Sequence, residues 1–221
     1  MINIRSICNE HLKQSIIQIE NMEKRITIPN KKNVIDAYVD FKQEPHAIVI
    51  MHPHSLMGGD MNNPVVQQTQ QVFAKKSMTT LRFNFRGVGK SSGQFDDGIG
   101  EQDDIIAVMD YLKSHGRDQI NLAGYSFGAW VMAHAASKVD FNHGIMIAPP
   151  VAFMDFSDVQ KIPGLKTVIT GTYDEFAPPN LIQSRLSDWQ VNAQLHIIDG
   201  ADHFFSEHMA ELIYFLDAIH F

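Results

Sequence analysis

Strand-like and helix-like segments alternate along this 221-residue chain from Arg25 onward. The strand-like segments are short, and Gly, Pro and Asn bound them, which is typical of β-strands. Eight strands are predicted, at 25–28, 33–41, 47–51, 79–85, 119–123, 144–148, 166–171 and 194–198. Five helices are predicted among them, at 63–77, 100–115, 127–139, 180–188 and 204–220. This alternation predicts a three-layer α/β/α sandwich, because helices then cover both faces of one sheet.

The strand sequences predict a mostly parallel sheet. The segments AIVIM, INLAG, GIMIA and KTVIT are largely apolar, as are strands that are covered on both faces. The first two strands instead alternate polar with apolar residues, as an antiparallel edge does. About 17 residues separate strand 144–148 from strand 166–171, so we expect an open site without a large lid. Residues 25–221 contain no linker and predict one domain, preceded at 1–24 by an N-terminal extension or a peripheral helix.

Charge, cysteine content and hydropathy argue against nucleic-acid binding, a disulfide and a membrane segment. The formal net charge is −7, from 18 Lys and Arg against 25 Asp and Glu, which argues against binding to nucleic acid. Cys8 is the only cysteine, so no intrachain disulfide can form. The sequence shows no run of about 18 apolar residues and no secretory leader, so we expect no membrane partner and a cytoplasmic location. The sequence does not distinguish a monomer from a homodimer.

The sequence GYSFG at residues 124–128 is the most specific local motif. It fits G-x-S-x-G, and it stands directly after a predicted strand and directly before a predicted helix, as a nucleophile elbow requires. The glycines allow a tight turn that exposes the hydroxyl of Ser126. The helix that follows brings its unpaired N–H groups to a developing oxyanion. Ser126 is therefore the predicted nucleophile.

A serine hydroxyl needs an adjacent base, and the base needs an acid that orients it. In the fold that carries this elbow, the acid follows the nucleophile along the chain and the histidine comes last. Asp174 follows the strand 166–171, with Glu175 as the neighbouring alternative. His203 follows the last strand, whereas His208 lies inside the predicted final helix. We therefore predict Asp174 as the acid and His203 as the base.

The loop after the third predicted strand, MHPHSLMGGD at residues 51–60, is the predicted oxyanion loop. Together with the backbone N–H of Phe127, a backbone N–H of His54 or Ser55 would bind the oxyanion, and we favour His54. The histidines at 52 and 54 also suggest a metal site, since imidazole is a common zinc ligand. No third ligand stands at a diagnostic spacing, so we expect neither a metal nor a cofactor.

The segment RFNFRGVGKSSG at residues 82–93 contains glycines and a lysine, as phosphate-binding loops do. The glycine before Gly89 is two residues away rather than five, so the phosphate-loop spacing is not met. We predict a structural loop that supports the oxyanion loop, with Arg86 binding carbonyls or carboxylates. Asp103 and Asp104 are expected in the first turn of the next helix, where the helix dipole favours negative charge.

Several segments together resemble the motifs of one known family. They are HPHSLMGGDMNNPVV, LRFNFRGVGKSSGQFDDGIGE, LAGYSFGAW, IAPP and TYDEFAPP. They resemble small lid-less α/β hydrolases with an HPHP-type loop, which are similar to dienelactone hydrolases and small carboxylesterases. The resemblance covers nearly all of 25–221 and implies the α/β-hydrolase fold and ester hydrolysis by Ser126, Asp174 and His203. Ser55 stands where the second proline of HPHP is usual.

The predicted function is that of a serine hydrolase that cleaves carboxylic ester or thioester bonds of small substrates through an acyl-enzyme. An acyltransferase or a peptidase on the same triad is one alternative, and a non-catalytic binding protein that retains the fold is another. Apolar residues near the site loops favour an apolar acyl or aryl group, although such residues are equally typical of cores. They are Met57, Met61, Phe127, Phe153, Phe156, Phe176, Phe204 and Phe205.

Overall fold

The computed structural model describes residues 23–221. Its strands are β1 Lys24–Asn30, β2 Asn33–Asp40, β3 His46–Met51, β4 Thr79–Phe83, β5 Gln119–Tyr125, β6 Gly144–Ile147, β7 Leu165–Gly171 and β8 Gln194–Ile198. Its α-helices are α1 Pro64–Lys75, α2 Ile99–Ser114, α3 Phe127–Ala135, α4 Pro179–Asp188 and α5 Met209–Asp217. The extension or helix predicted over 1–24 lies outside the described residues, except that β1 already begins at residue 24.

The strands form one sheet in the order β1-β2-β4-β3-β5-β6-β7-β8. The pairs β1–β2 and β2–β4 are antiparallel, and the other five pairs are parallel. Both sheet predictions are therefore confirmed. In the β3–β5 pair Met51 lies opposite Gly124, so the predicted oxyanion loop and the GYSFG turn leave the sheet side by side.

The helices cover the sheet and exclude water from it. Helix α1 packs beside α5, and α2 packs beside α3. Asn63 caps α1, because its Oδ1 accepts a hydrogen bond from the Val65 N–H at 3.0 Å. Strand β3 between them is apolar and buried beyond its first residue, as a central strand with both faces covered must be. Among residues 23–221, no helix combines the length and the apolar character needed to cross a bilayer.

The last helix begins at residue 209, not at residue 204 as predicted. The Oδ1 atom of Asp202 accepts hydrogen bonds from the N–H groups of Phe204 at 3.1 Å and Ser206 at 3.2 Å, which forms a turn. Phe205 has φ 54°, in the left-handed region that a helix excludes. The apolar periodicity therefore continues through a segment that is not helical.

Two aspartates predicted for the first turn of a helix lie instead in the second turn of α2. Asp104 is fully buried, and its Oδ1 accepts a hydrogen bond from Arg86 Nη2 at 2.8 Å. Asp103 pairs with Lys31 at 2.6 Å. Glu101 is the acidic residue in the first turn. The prediction for Asp103 and Asp104 was therefore wrong, whereas the prediction that Arg86 binds a carboxylate is confirmed.

Candidate active site

Three strand ends bring the predicted triad together. Ser126 directly follows β5, Asp174 lies three residues beyond the end of β7, and His203 lies five residues beyond the end of β8. Because parallel strands end at one edge of the sheet, loops after them meet there although they are distant in sequence. The side chains of Ser126 and Asp174 thus approach the same histidine.

Ser126 occupies a strained turn between β5 and α3. Its φ of 53° and ψ of −118° are unfavourable for a residue with a side chain and cost roughly 1–3 kcal/mol. Its N–H donates to the Ile147 carbonyl at 2.9 Å, which holds the turn to β6. A Cβ atom on Gly124 would lie 2.6 Å from the backbone of Ala129, and one on Gly128 would lie 2.7 Å from the Met51 carbonyl oxygen. Both glycines of the motif are therefore required by close packing.

A continuous chain of hydrogen bonds links the three predicted residues. His203 Nε2 lies 2.9 Å from Ser126 Oγ, and His203 Nδ1 lies 2.9 Å from Asp174 Oδ2. The carboxylate can only accept when ionised, so Nδ1 carries the proton and Nε2 is left to accept one from the hydroxyl. Ser126 and His203 are each 8% exposed, and Asp174 is 2% exposed. The arrangement allows a proton to pass from Oγ to Nε2.

The loop after β7 selects Asp174 over its neighbour. Asp174 Oδ1 accepts hydrogen bonds from the N–H groups of Phe176 at 2.9 Å and Ala177 at 2.8 Å. Glu175 is exposed, so of the two carboxylates the structure brings Asp174 to His203. A Cβ atom on Gly171 would lie 2.0 Å from the Ala201 carbonyl oxygen, which shows how closely this loop packs on the loop that carries the histidine.

Two aromatic residues hold the histidine loop. The Tyr125 hydroxyl donates to the His203 carbonyl oxygen at 3.0 Å. Burial raises the pKa of Tyr125, and the nearby charges of Asp174 and Asp202 raise it further, so the hydroxyl stays a donor. The Phe176 ring lies 4.8 Å from the imidazole ring, measured between centroids. The first contact holds the backbone of the histidine loop, and the second packs against the imidazole ring.

The two residues predicted to bind an oxyanion lie next to each other. The His54 and Phe127 rings are 4.8 Å apart between centroids, and both residues line the cavity that contains Ser126. Phe127 is the first residue of α3, so its N–H has no acceptor within the helix. His54 Nδ1 accepts from the Leu56 N–H at 3.2 Å, and burial lowers the pKa of His54. Among the described residues that line the cavity, Ser55 is absent.

His52 has a structural role that the sequence did not reveal. It is fully buried, and its Nε2 accepts from the Phe85 N–H at 3.0 Å. Its Nδ1 therefore carries the proton and donates to the Pro53 carbonyl oxygen at 2.6 Å. Burial lowers the pKa of His52 to about 4, so the ring is neutral near pH 7. Within residues 23–221 no group of three His, Cys, Asp or Glu is placed to hold a metal ion.

The RFNFRGVG segment supports the oxyanion loop, as predicted. Asn84 Oδ1 accepts from the Met61 N–H at 2.9 Å, which adds to the hydrogen bond between Phe85 and His52. Ser91 Oγ donates to the Asn84 carbonyl oxygen at 2.7 Å and anchors the segment on itself. Hydrogen bonds that join His52 and Met61 to the loop after β4 therefore fix both ends of segment 52–61.

A cavity of about 140 Å³ opens beside Ser126 and His203. Its wall is largely apolar and includes Met57, Pro150, Phe153, Met154, Phe176 and Phe204. Of the apolar residues that the sequence associated with the site, Met57, Phe127, Phe153, Phe176 and Phe204 line this cavity. Met61, Phe156 and Phe205 are buried elsewhere. The cavity places an apolar surface directly beside the serine hydroxyl.

The strand order, the turn that carries Ser126 and the open cavity define an α/β hydrolase. Comparison with known proteins supports this class and narrows it. The family model of the dienelactone hydrolase family matches residues 82–218, and the chain belongs to that family. An uncharacterized protein of Rickettsia prowazekii is 38% identical over 168 residues, which cover 71% of each chain.

Two solved structures are similar over most of their length. An α/β serine hydrolase homologue from Coxiella burnetii has a TM-score of 0.82 and 31% identity, covering 88% of this chain and 95% of its own. An α/β serine hydrolase without a lid from Xanthomonas campestris has a TM-score of 0.81 and 35% identity, covering 88% of this chain and 91% of its own. The resemblance, the fold class and the assignment as a hydrolase are thereby confirmed.

Proposed function

We propose that this hydrolase cleaves carboxylic ester or thioester bonds through a triad of Ser126, His203 and Asp174. The observation that carries the proposal is the pair of 2.9 Å contacts that joins Ser126 Oγ to His203 Nε2 and His203 Nδ1 to Asp174 Oδ2. Such a chain is the arrangement that activates a serine hydroxyl at neutral pH. The cavity beside it supplies space for the acyl group.

In the proposed reaction, Ser126 Oγ attacks the carbonyl carbon while His203 Nε2 accepts the hydroxyl proton. The backbone N–H groups of Phe127 and His54 stabilise the negative oxygen of the tetrahedral intermediate. The imidazolium then gives its proton to the leaving alcohol or thiol, and the acyl group stays on Ser126. Water repeats the same steps, releases the acid and restores the serine. Asp174 stabilises the imidazolium and stays ionised throughout.

Steady-state turnover of short-chain p-nitrophenyl esters tests the proposal. We expect the wild-type protein to release p-nitrophenol and Ser126→Ala to lose activity by about 10⁴-fold or more, because it lacks the nucleophile. Ser184→Ala is the matched control, since this serine is exposed on α4. Equal rates in the wild type and Ser126→Ala would contradict the proposal. A folded wild-type protein that turns over no ester would favour a non-catalytic binding protein.

A survey of leaving groups separates hydrolysis of esters from the same triad acting on amides. We expect kcat/KM for esters and thioesters to exceed that for matched anilides, and added alcohols to leave the yield of free acid unchanged. Anilides cleaved as fast as esters would indicate a peptidase, and acyl products formed with the alcohol would indicate an acyltransferase.

A further inference from the structure

The cavity beside Ser126 has the size of a small apolar group. Its volume is about 140 Å³, and a cavity of about 150 Å³ lined by apolar side chains is large enough to bind benzene. Phe153, Met154 and Phe176 form much of its apolar wall. The Phe153 and Phe176 rings pack edge to face with centroids 5.5 Å apart, which keeps these two side chains in place. The cavity therefore fits an acyl group of about six heavy atoms beyond the carbonyl.

The surroundings of the cavity disfavour a negatively charged substrate. Among residues 23–221, those that line the cavity include no lysine and no arginine. The nearby carboxylates of Asp97 and Asp202 also act on the site. Burial lowers the pKa of His54, and the charge of Asp97 opposes that shift, whereas the charge of Asp202 adds to the raised pKa of Tyr125. A carboxylate on the substrate would lose hydration in an apolar cavity and gain no partner of opposite charge, which is costly.

The mouth of the cavity continues this apolar surface outward. Met57, Phe153 and Phe204 line the cavity and are 68%, 56% and 61% exposed, and Leu56 beside them is 71% exposed. Long exposed apolar side chains clustered around a catalytic opening are typical of a binding surface. An apolar leaving group can therefore rest on this rim while the acyl group enters the cavity.

We propose that the substrates are uncharged carboxylic esters or thioesters with a compact apolar acyl group of about benzene size, and that acyl groups bearing a carboxylate are rejected. This inference rests on the proposed function, because it assigns the acyl specificity of the same serine. The cavity volume sets the size limit, and the absence of a cation among its described lining residues sets the charge preference.

A series of p-nitrophenyl esters from acetyl to dodecanoyl tests the size limit. We expect kcat/KM to rise by up to about fourfold for each added CH₂ while the chain fills the cavity. The increase ends near hexanoyl, and benzoyl is accepted. An equal kcat/KM for all chain lengths, or an increase that continues to dodecanoyl, would overturn the size limit.

Two esters of equal shape test the charge preference. The p-nitrophenyl monoester of fumaric acid ends in a carboxylate where p-nitrophenyl trans-4-methylpent-2-enoate ends in an isopropyl group. The trans double bond keeps the carboxylate away from the ester, and each kcat/KM is divided by the rate of alkaline hydrolysis of the same ester. We expect the fumarate ester to be at least about tenfold poorer for the wild type.

A positive charge introduced at the mouth of the cavity should weaken the preference for the uncharged ester. Met57→Lys places a cation where no charge stands now, and we expect it to narrow the ratio between the two esters by at least about threefold. Met57→Gln, which is polar and uncharged, is the matched control, and we expect it to narrow the ratio less than Met57→Lys does. Equal use of both esters by the wild type would overturn the charge preference.

Labelling by a fluorophosphonate separates failure of this specificity from failure of the proposed function. If Ser126 is labelled but kcat/KM depends on neither the chain length nor the charge of the acyl group, the proposed substrate class is refuted and the proposed function is retained. A folded protein that is neither labelled nor active on any ester would refute both.

Discussion

Asp174 and Glu175 are neighbours in the chain with opposite environments. Asp174 is buried and contacts His203 with both carboxylate oxygens, at 3.0 and 2.9 Å. Its Oδ1 also accepts two backbone N–H groups, which set the plane of the carboxylate. Glu175 is exposed. Of these two acidic side chains, Asp174 is therefore the one that contacts His203.

Asp174→Asn is predicted to lower kcat by about 10³-fold to 10⁴-fold. The Asn Oδ1 keeps the two backbone hydrogen bonds, so its NH₂ group faces His203 Nδ1 and forces the proton onto Nε2. A protonated Nε2 cannot accept the proton of Ser126 Oγ. Steady-state hydrolysis of p-nitrophenyl butyrate measures the effect. Glu175→Gln is the control, and a comparable loss in that variant would contradict the assignment.

The sequence could predict that Ser126, Asp174 and His203 lie together, because each follows a strand whose apolar pattern is clear. The ends of parallel strands gather at one edge of the sheet, so the order of these residues along the chain was sufficient to place them there. The contacts of His52 and Asp104 could not be predicted in the same way. Their partners are Phe85 and Arg86, and which loops meet across the sheet depends on the packing of the whole fold. The loops contain many polar residues, and the sequence alone does not show which of them form hydrogen bonds with each other.

At the scale of elements, helix α2 packs against α3 through a glycine at its start. Gly98 has φ 81°, and a Cβ atom there would lie 1.9 Å from the Trp130 ring. The Trp130 indole N–H donates to the Asp155 carbonyl oxygen at 2.6 Å, so the ring also holds the segment after β6. A displaced ring would therefore disturb both the helix pair and the segment that carries Phe153.

Gly98→Ala is predicted to destabilise the protein more than Gly116→Ala. Both glycines have positive φ, at 81° and 72°, so an alanine at either costs about 1–2 kcal/mol in backbone strain. A Cβ atom on Gly116 meets nothing within 4 Å, whereas the Trp130 ring must move in the other variant. We expect Gly98→Ala to lose about 1–3 kcal/mol more of the free energy of unfolding, measured in urea. Equal losses would show that the ring adjusts freely.

Strands were predicted more accurately than the ends of helices. Buried strands such as β3 and β5 are marked by largely apolar segments, and the structure places both within two residues of the predicted bounds. The start of α5 was wrong by five residues, because Phe205 is buried through a left-handed turn and not through a helix. Apolar periodicity reports burial, and burial alone does not distinguish a compact turn from the first turn of a helix.

In the molecule as a whole, the predicted oxyanion loop is held to a neighbouring loop by a buried neutral histidine. His52 joins the oxyanion loop to the loop after β4, and it can do so only while its Nε2 is unprotonated. Its pKa of about 4 lies below the value of 6.5 for a free histidine because the ring is buried. The unfolded chain therefore binds a proton in this pH range more readily than the folded protein does.

The free energy of unfolding is predicted to fall as the pH drops below 6.5. The stabilisation from neutral His52 is complete above that value and is lost as the pH falls toward 4, by about 2 kcal/mol at pH 5. Burial lowers the pKa of His143 to about 4 as well and acts in the same direction. Urea unfolding at pH 7.5 and pH 5 measures the loss, and His52→Gln reduces it. His220→Gln, at an exposed position, is the control. A pH dependence that His52→Gln leaves unchanged would show that His52 does not cause the loss.

Covalent labelling reports directly whether Ser126 is an activated nucleophile. The protein is treated with a fluorophosphonate, weighed intact by mass spectrometry, and digested to locate the adduct. We expect one phosphonyl group per chain, on the peptide that contains Ser126, and none in Ser126→Ala. No adduct on the folded wild-type protein, or an adduct on a different serine, would contradict this expectation.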